Sequence, residues 1–131
     1  MVAKLMLAAR VLRRRSDPRV SLVDALHASG ESSTNNGDLA SLGLAVPHLM
    51  PLGTTREELA SLLGQFDLNN FAVLDDLLVC VGMGVYPVAA RLNHSCAPNC
   101  VLSFEGTPAR GPRIAIRTVR DVGVGEELSH S

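Results

Sequence analysis

The residues of this sequence that are best suited to chemistry lie in one short segment, 91–100, which reads RLNHSCAPNC. Four consecutive positions, Asn93 to Cys96, bring together an amide, an imidazole, a hydroxyl and a thiol, and Pro98 fixes a turn just after them. Each buried polar group needs a hydrogen-bond partner, so such a run is poor material for a core strand. We therefore expect a polar loop with a binding or a purely structural role.

Four interpretations of this polar quartet (residues 93–96) are open from the residues alone. His94 and Cys96 could form half of a metal site, or a nucleophile and base of a cysteine hydrolase. Residues this close in sequence rarely reach nucleophile–base geometry, and no orienting acid stands out. The quartet could instead grip a ligand through backbone and amide groups. It could also be a turn in which Asn93 and Ser95 bond their own backbone.

The elements that must position the quartet fall into two halves of different composition. Residues 1–65 are typical of helices joined by polar loops, and residues 66–131 of strands and turns. A run of helices followed by a run of strands indicates an α+β fold, because alternating βαβ units would interleave the two.

The helical half opens with apolar residues at helical spacing over residues 5–12, and Pro18 is expected to stop that helix. A second short helix is predicted at residues 20–28. The polar composition of residues 29–38 predicts a surface loop, and residues 39–49 are apolar but ambiguous.

A third helix is predicted from a capping box. Thr55 is followed three residues later by Glu58, the spacing at which the two side chains satisfy each other's backbone N–H groups. We expect this helix to end at about Leu63 or Gly64.

The second half carries the short apolar runs that are typical of strands. Gly82 and Gly84 interrupt one of these runs, which predicts a bent or bulged strand. Residues 105–112 are rich in glycine and proline and predict a turn. We predict strands at residues 71–74, 79–85, 99–104 and 113–119.

Composition and charge exclude several classes of function. The chain has 131 residues, of which 47% are hydrophobic and 19% charged, as in a globular protein. Its net charge is −1 and its pI is about 6.4, so no whole-chain field attracts nucleic acid. We expect no direct nucleic-acid partner.

Cysteine content and the amino-terminal segment bear on location. Three cysteines cannot all pair within the chain, and their spacing is not that of a disulfide framework. The apolar start is followed by Arg13–Arg15, the reverse of a signal peptide, and is too short to span a bilayer. We expect the nucleus or the cytoplasm and no membrane association. The three arginines suit the negative end of a helix dipole, or alternatively form a nuclear-localisation signal or a patch for an acidic partner.

Four motifs occur in order over residues 69–128. They are NNFAV at 69–73, GMGVYP at 82–87, NHSC followed by Pro98-Asn99, and RTVRDVGVGEEL at 117–128. Together they resemble the signature of SET-domain protein lysine methyltransferases, in the SET-and-MYND branch. The resemblance implies that residues 66–131 are a partial SET core and residues 1–65 the helical insert of that branch.

The resemblance implies a cofactor, S-adenosylmethionine, and residues that contact it. Asn93 and His94 match the asparagine and histidine that line the cofactor pocket in the family. Ala90 stands at a position beside that pocket where the family often has a polar residue. An amide and an imidazole suit a ligand that offers both hydrogen-bond donors and acceptors.

Other roles are implied for Cys96, Phe71 and Tyr86. Cys96 matches a zinc ligand, but only where three further cysteines complete the tetrahedron, and we expect a free thiol in this chain. Phe71 and Tyr86 match positions near the channel for the substrate lysine, although packing is the simpler role for Tyr86. Glu126 and Glu127 match a pair that is structural in the family.

The implied function is methyl transfer to lysines of histones or other proteins. The family's catalytic tyrosine is expected just after Ser131, so we expect the chain by itself to be inactive. The first SET strands, the zinc-binding MYND module and the segment after the core have no counterpart in the 131 residues. The alternative is a non-catalytic, truncated SET-like module that acts in protein–protein interaction.

Overall fold

A computed structural model of the chain describes residues 1–26, 34–107 and 111–131. They divide into a helical unit, Met1–Asn69, and a strand unit, Asn70–Ser131. The predicted α+β fold is therefore confirmed. The boundary between the two units follows Asn69, whereas composition had predicted it after residue 65. That the two parts are an insert and a partial SET core stays a prediction.

The helical unit has its own apolar core. Its elements in chain order are α1 (Val2–Arg13), α2 (Pro18–Ser21), a 3-10 turn (Leu22–Ala25), α3 (Thr34–Ala45) and α4 (Arg56–Leu68). Helices α1, α3 and α4 pack against one another. The face of α4 that packs inward buries Leu59, Leu62, Leu63 and Phe66. No helix in the described ranges is both long and apolar enough to cross a membrane.

The beginning of the chain follows the predicted pattern closely. Helix α1 ends at Arg13, ahead of Pro18 as predicted. Pro18 then opens α2 at its first position, and Asp17 Oδ1 accepts a hydrogen bond of 2.9 Å from Arg19 N. The helical stretch that starts at Pro18 ends at Ala25. It therefore begins two residues before the helix predicted at residues 20–28 and ends three residues before the predicted end. Residues 27 and 28 lie outside the described residues.

The loop predicted at residues 29–38 is wrong where the structure describes it. Residues 34–38 form the first turn of α3, while 29–33 lie outside the described residues. The buried Asn36 explains the error. Its Oδ1 accepts from Lys4 Nζ at 2.9 Å and its Nδ2 donates to Asp67 Oδ2 at 3.0 Å. Tertiary partners thus satisfy a polar residue whose composition indicated a surface loop.

Helix α4 begins as predicted and ends later. Thr55 Oγ1 accepts a hydrogen bond of 3.1 Å from Glu58 N, the half of the capping box that satisfies the helix end. The predicted end at Leu63 or Gly64 is wrong, because the helix continues to Leu68. Burial of Phe66 beyond Gly64 stabilises the last turns against the lower helix propensity of glycine.

The strand unit consists of three separate strand pairs. Its strands are β1 (Asn70–Leu74), β2 (Cys80–Val85), β3 (Asn93–His94), β4 (Cys100–Thr107), β5 (Gly111–Thr118) and β6 (Ser129–His130). Strands β1 and β2 pair antiparallel, as do β4 and β5, whereas β3 and β6 pair in parallel. A 3-10 turn at Ala89–Arg91 leads into β3.

Two details of the hairpins bear on the predictions. Val73 pairs with Gly82 but Leu74 pairs with Cys80, so Val81 is an extra residue and the predicted bulge is confirmed. Strands β4 and β5 extend their ladder to Thr107 and Gly111. The turn predicted at 105–112 is therefore too long, and residues 108–110 lie outside the described residues.

Candidate cofactor-binding strand

Strand β3 carries the two predicted cofactor contacts, Asn93 and His94. They pair with Ser129 and His130 of β6, and Ser95 N donates to the His130 carbonyl at 2.8 Å. Neighbouring side chains of a strand point to opposite faces, so Asn93 and His94 serve different sides of β3. A strand of two residues has little pairing of its own and depends on what holds β6.

Asn99 holds β6 in place. The side chain is 3% exposed and uses both ends of its amide. Nδ2 donates to the Glu127 carbonyl at 2.8 Å and to Glu126 Oε1 at 3.2 Å, while Oδ1 accepts from Ser129 N at 2.9 Å. One buried side chain thus fixes the segment 126–129 that leads into β6. Sequence reasoning quoted Asn99 only as part of a motif and missed this role, since its partners lie 27 to 30 residues away.

Glu126 and Glu127 complete the support of β3. This agrees with the structural role that the family resemblance implied for the pair. The Glu126 carboxylate forms an ion pair with Arg120 and accepts from Gly123 N at 3.1 Å. The hydrogen bond from the Arg120 guanidinium, then those from Gly123 and Asn99, lower the pKa of Glu126 to about 2. Glu127 accepts a short hydrogen bond from Asn93 Nδ2. The Glu126 carboxylate closes the loop at residues 119–128 between β5 and β6, and the Glu127 carboxylate orients the Asn93 amide.

The polar quartet lies at the surface of the strand unit. Asn93, His94 and Cys96 are exposed and Ser95 is half-buried. Ser95 Oγ accepts from Ala97 N at 3.1 Å, the local turn expected under the structural interpretation. The quartet can therefore contribute one wall of a binding site, but three exposed side chains do not enclose a ligand.

His94 and Cys96 come closer together than their spacing in sequence led us to expect. The distance from His94 Nε2 to Cys96 Sγ is 3.6 Å. Among the described residues, no acidic side chain forms a hydrogen bond or ion pair with His94, which leaves the imidazole without the orienting acid of a cysteine hydrolase. Nor do the described residues include any group of three potential metal ligands. The pair offers two of the four donors of a structural zinc site and does not hold zinc by itself.

Phe71 and Tyr86 lie in a row of aromatic rings. The centroid of the Phe71 ring lies 6.0 Å from that of the Tyr86 ring, in an edge-to-face arrangement. It also lies 6.0 Å from the centroid of the His130 imidazole. Tyr86 also lies 5.8 Å from Phe104, and its hydroxyl donates to the Pro112 carbonyl at 3.2 Å. Burial raises the pKa of the Tyr86 phenol. The row links the predicted channel residues to β6 through His130, which sequence reasoning did not single out.

The residues between β2 and β3 bring Tyr86 and Ala90 together. A Cβ on Gly84 would lie 2.6 Å from the Tyr86 ring, so only glycine lets the ring lie against the strand, whereas Gly82 has open space. Ala90 N donates to the Tyr86 carbonyl at 2.9 Å, which places Ala90 in the turn before β3. Its predicted contact with the cofactor stays a prediction.

Comparison with known proteins decides the family. Residues 12–131 match the SET domain. The chain belongs to the SET-domain family. This SET-domain chain is 44% identical over 61 residues to human "Histone-lysine N-methyltransferase SMYD3", an alignment that covers 47% of the chain and 13% of that protein. It is 35% identical over 75 residues to "N-lysine methyltransferase SMYD2-A" of Xenopus laevis, covering 57% and 16% respectively.

These alignments span a sixth or less of the length of the curated relatives. A third relative, "N-lysine methyltransferase SMYD2-B" of Danio rerio, is 35% identical over 72 residues, covering 55% of the chain and 15% of that protein. The resemblance drawn from the four motifs is confirmed.

Proposed function

We propose that this SET-domain chain is part of a protein lysine N-methyltransferase that uses S-adenosylmethionine, with β3 forming one wall of the cofactor site. The observation that carries the proposal is the fixing of β3 by residues of the same motifs. Asn99, Glu126 and Glu127 hold β6 and the Asn93 side chain. The matches to relatives named as lysine methyltransferases support the reaction type.

The hydrogen-bonding groups of β3 fit this cofactor. Asn93 Nδ2 donates a hydrogen bond to Glu127, and Asn93 Oδ1 can accept a hydrogen bond from the ligand. His94 is exposed and offers ring nitrogens that donate or accept according to the tautomer. S-adenosylmethionine presents an amino acid group and an adenine with both kinds of partner, so an amide oxygen and an imidazole complement it. Ala90, in the turn before β3, would contribute only apolar surface.

S-adenosylmethionine held by Asn93 and His94 would supply an electrophilic methyl group to a lysine nitrogen, and the S–C electron pair would stay on the sulfur. For that transfer the lysine ammonium must first release a proton to solvent, which leaves a nucleophilic amine. We assign Phe71 and Tyr86 to the apolar wall that excludes water from the lysine side chain, which disfavours its charged form. Tyr86 acts through its ring, because its hydroxyl is bonded to Pro112. Holding nitrogen, methyl and sulfur in line is the main catalytic task.

The partners follow from the reaction. The substrate is a lysine of a histone or another protein, and nucleic acid and membranes have no direct part. We place the protein in the nucleus, the cytoplasm or both. Cys96 is proposed as a zinc ligand only in company with cysteines other than those of this chain, because the described residues offer too few donors.

Chemical-shift mapping tests the cofactor assignment directly. S-adenosylmethionine at millimolar concentration is added to the 15N-labelled chain. We expect the largest backbone shifts at residues 92–96 and 129–130. The variants Asn93→Ala and His94→Ala should each lose most of the shift, and Asn35→Ala, an exposed asparagine of α3, should lose none. Shifts that avoid residues 92–96, or no shifts, would contradict the proposal and favour a non-catalytic interaction module.

A second titration tests the lysine assignment with the same sample. A peptide with one lysine, and its copy with glutamine in that position, are added to the chain with S-adenosylhomocysteine. We expect the lysine peptide alone to shift Phe71 and Tyr86. Equal shifts with both peptides would remove these residues from the substrate site.

A further inference from the structure

Helix α1 presents an unusual stripe on its exposed side. Met6, Leu7 and Arg10 lie on it, and Arg13 and the following residue Arg14 continue it at helical spacing. The opposite side of α1 packs into the core through Leu5, Ala8 and Ala9. The exposed side would be expected to be polar throughout, yet its first turns are apolar. We call residues 6, 7, 10, 13, 14 and 49 the α1 groove.

The floor of the α1 groove is apolar and its wall is fixed. Met6 is 56% exposed and Leu7 37% exposed, and together with Leu49 they line the groove. Arg13 Nη2 donates to the carbonyls of His48 and Leu49 at 2.7 and 2.9 Å. These two bonds hold the segment before α4 against the end of α1, so the groove is preformed.

The rim of the α1 groove carries positive charge that no ion pair among the described residues neutralises, although the Asp17 carboxylate attracts Arg14 electrostatically. Among them, Arg10 and Arg14 have no ion pair or side-chain hydrogen bond, whereas Arg15 is paired with both Asp24 and Glu58. Residues 1–19 contain six basic residues and one acidic residue. The helix dipole accounts for basic residues at the end of α1 but not for their position beside exposed apolar side chains.

We propose that the α1 groove binds a short acidic segment of a partner protein, whose one or two large apolar side chains sit on Met6, Leu7 and Leu49 while its carboxylates meet Arg10 and Arg14. The apolar floor favours a peptide over nucleic acid, whose binding depends mainly on phosphate contacts. A membrane surface is disfavoured because the groove is concave and its Leu49 is half-buried, a shape that admits a peptide side chain better than a flat lipid surface. This inference is independent of the proposed methyl transfer.

Fluorescence polarisation with three labelled peptides tests the proposal. The first is a twelve-residue probe with two leucines and six glutamates, the second has the leucines replaced by serine, and the third has the glutamates replaced by glutamine. We expect only the first to bind well. The double variant Arg10→Gln/Arg14→Gln should weaken its binding about tenfold, an effect that salt reduces. Met6→Ser should weaken it several-fold.

A charge-matched control separates a built surface from general attraction. The double variant Arg19→Gln/Arg113→Gln removes the same charge at exposed positions outside the groove and should change Kd less than about twofold. Glutamine keeps helix propensity, and far-UV circular dichroism checks that α1 persists. Equal weakening in both double variants would overturn the proposal. So would equal binding of the serine peptide, or tighter binding of single-stranded DNA or phosphatidylserine vesicles through the same two arginines.

Discussion

The helical unit and the strand unit are stabilised in different ways. Of the fifteen buried apolar residues among those described, twelve lie in residues 1–69 and three in residues 70–131. The strand unit instead relies on hairpin ladders, a row of aromatic rings and the hydrogen bonds of Asn99. The family motifs all fall in or beside the second kind of structure.

This difference explains why one half of the chain carries recognisable motifs. An apolar core accepts many combinations of residues if volume and pattern are kept. A buried amide with three partners accepts few, because any replacement leaves donors or acceptors unsatisfied. Specific residue types are therefore required where Asn99 and Glu126 hold β6, and only apolar character where α4 packs.

The largest effect is expected from a cavity in the helical unit. Leu63→Ala removes a fully buried side chain and should lower the free energy of unfolding by about 2–5 kcal/mol. Urea denaturation followed by far-UV circular dichroism measures it. The fully exposed Leu52 offers a control, since Leu52→Ala should change stability by less than about 0.5 kcal/mol. Comparable losses in the two variants would show that the helical unit lacks the core described.

Asn99→Ala tests the hydrogen-bonded support of the strand unit. Loss of this amide leaves Ser129 N and the Glu127 carbonyl without their partner and should cost about 1–3 kcal/mol. Hydrogen exchange at Ser95 N, which bonds to His130, should become much faster. Asn35→Ala serves as the control. Unchanged protection of Ser95 would mean that β6 is held by something else.

Gly84→Ala should move the Tyr86 ring. The added Cβ meets that ring at 2.6 Å, and we expect a cost of about 1 kcal/mol. Tyr86 is the only tyrosine and the chain has no tryptophan, so intrinsic fluorescence reports this ring alone. Gly82→Ala, with open space around it, should leave the spectrum unchanged. Identical spectra for the two variants would contradict the packing of Tyr86 on β2.

The smallest predicted effect is the loss of the stabilisation by Glu126 at acidic pH. The pKa of Glu126 is lowered from 4.5 to about 2 in the folded protein. Its ionised carboxylate therefore stabilises the loop fully at pH values above the pKa of the unfolded chain. That contribution falls as the pH drops from about 4.5 through 2. Ser95 exchange protection should show this loss in the wild type and not in Glu126→Gln. Asp76→Asn, an exposed change in the same unit, should keep the wild-type profile; a common profile in all three would exclude the role of Glu126.

Local signals in the sequence predicted local structure well. Pro18 marked the end of α1, Thr55 the start of α4, and the glycine at 82 the bulge in β2. Each of these depends on residues within a few positions, which a sequence displays directly. The motifs likewise indicated Asn93 and His94 as candidate residues, but these were expected in a polar loop and lie in the two-residue strand β3.

The failures involve partners distant in sequence. Asn36 lies in the first turn of α3, where Lys4 and Asp67 satisfy its amide, and nothing within residues 29–38 reveals these partners. The contacts of His130 with Phe71 and of Asn99 with Ser129 cross the strand unit in the same way. Composition could not have supplied such pairings.

Photo-crosslinking tests the central claim most directly. The chain is irradiated with S-adenosylmethionine labelled in its methyl group, digested with trypsin and mapped by mass spectrometry. We predict the label in the peptide of residues 92–110, strongly reduced in Asn93→Ala/His94→Ala. Label that falls mainly in other peptides, or that persists in the double variant, would contradict the assignment of β3 to the cofactor.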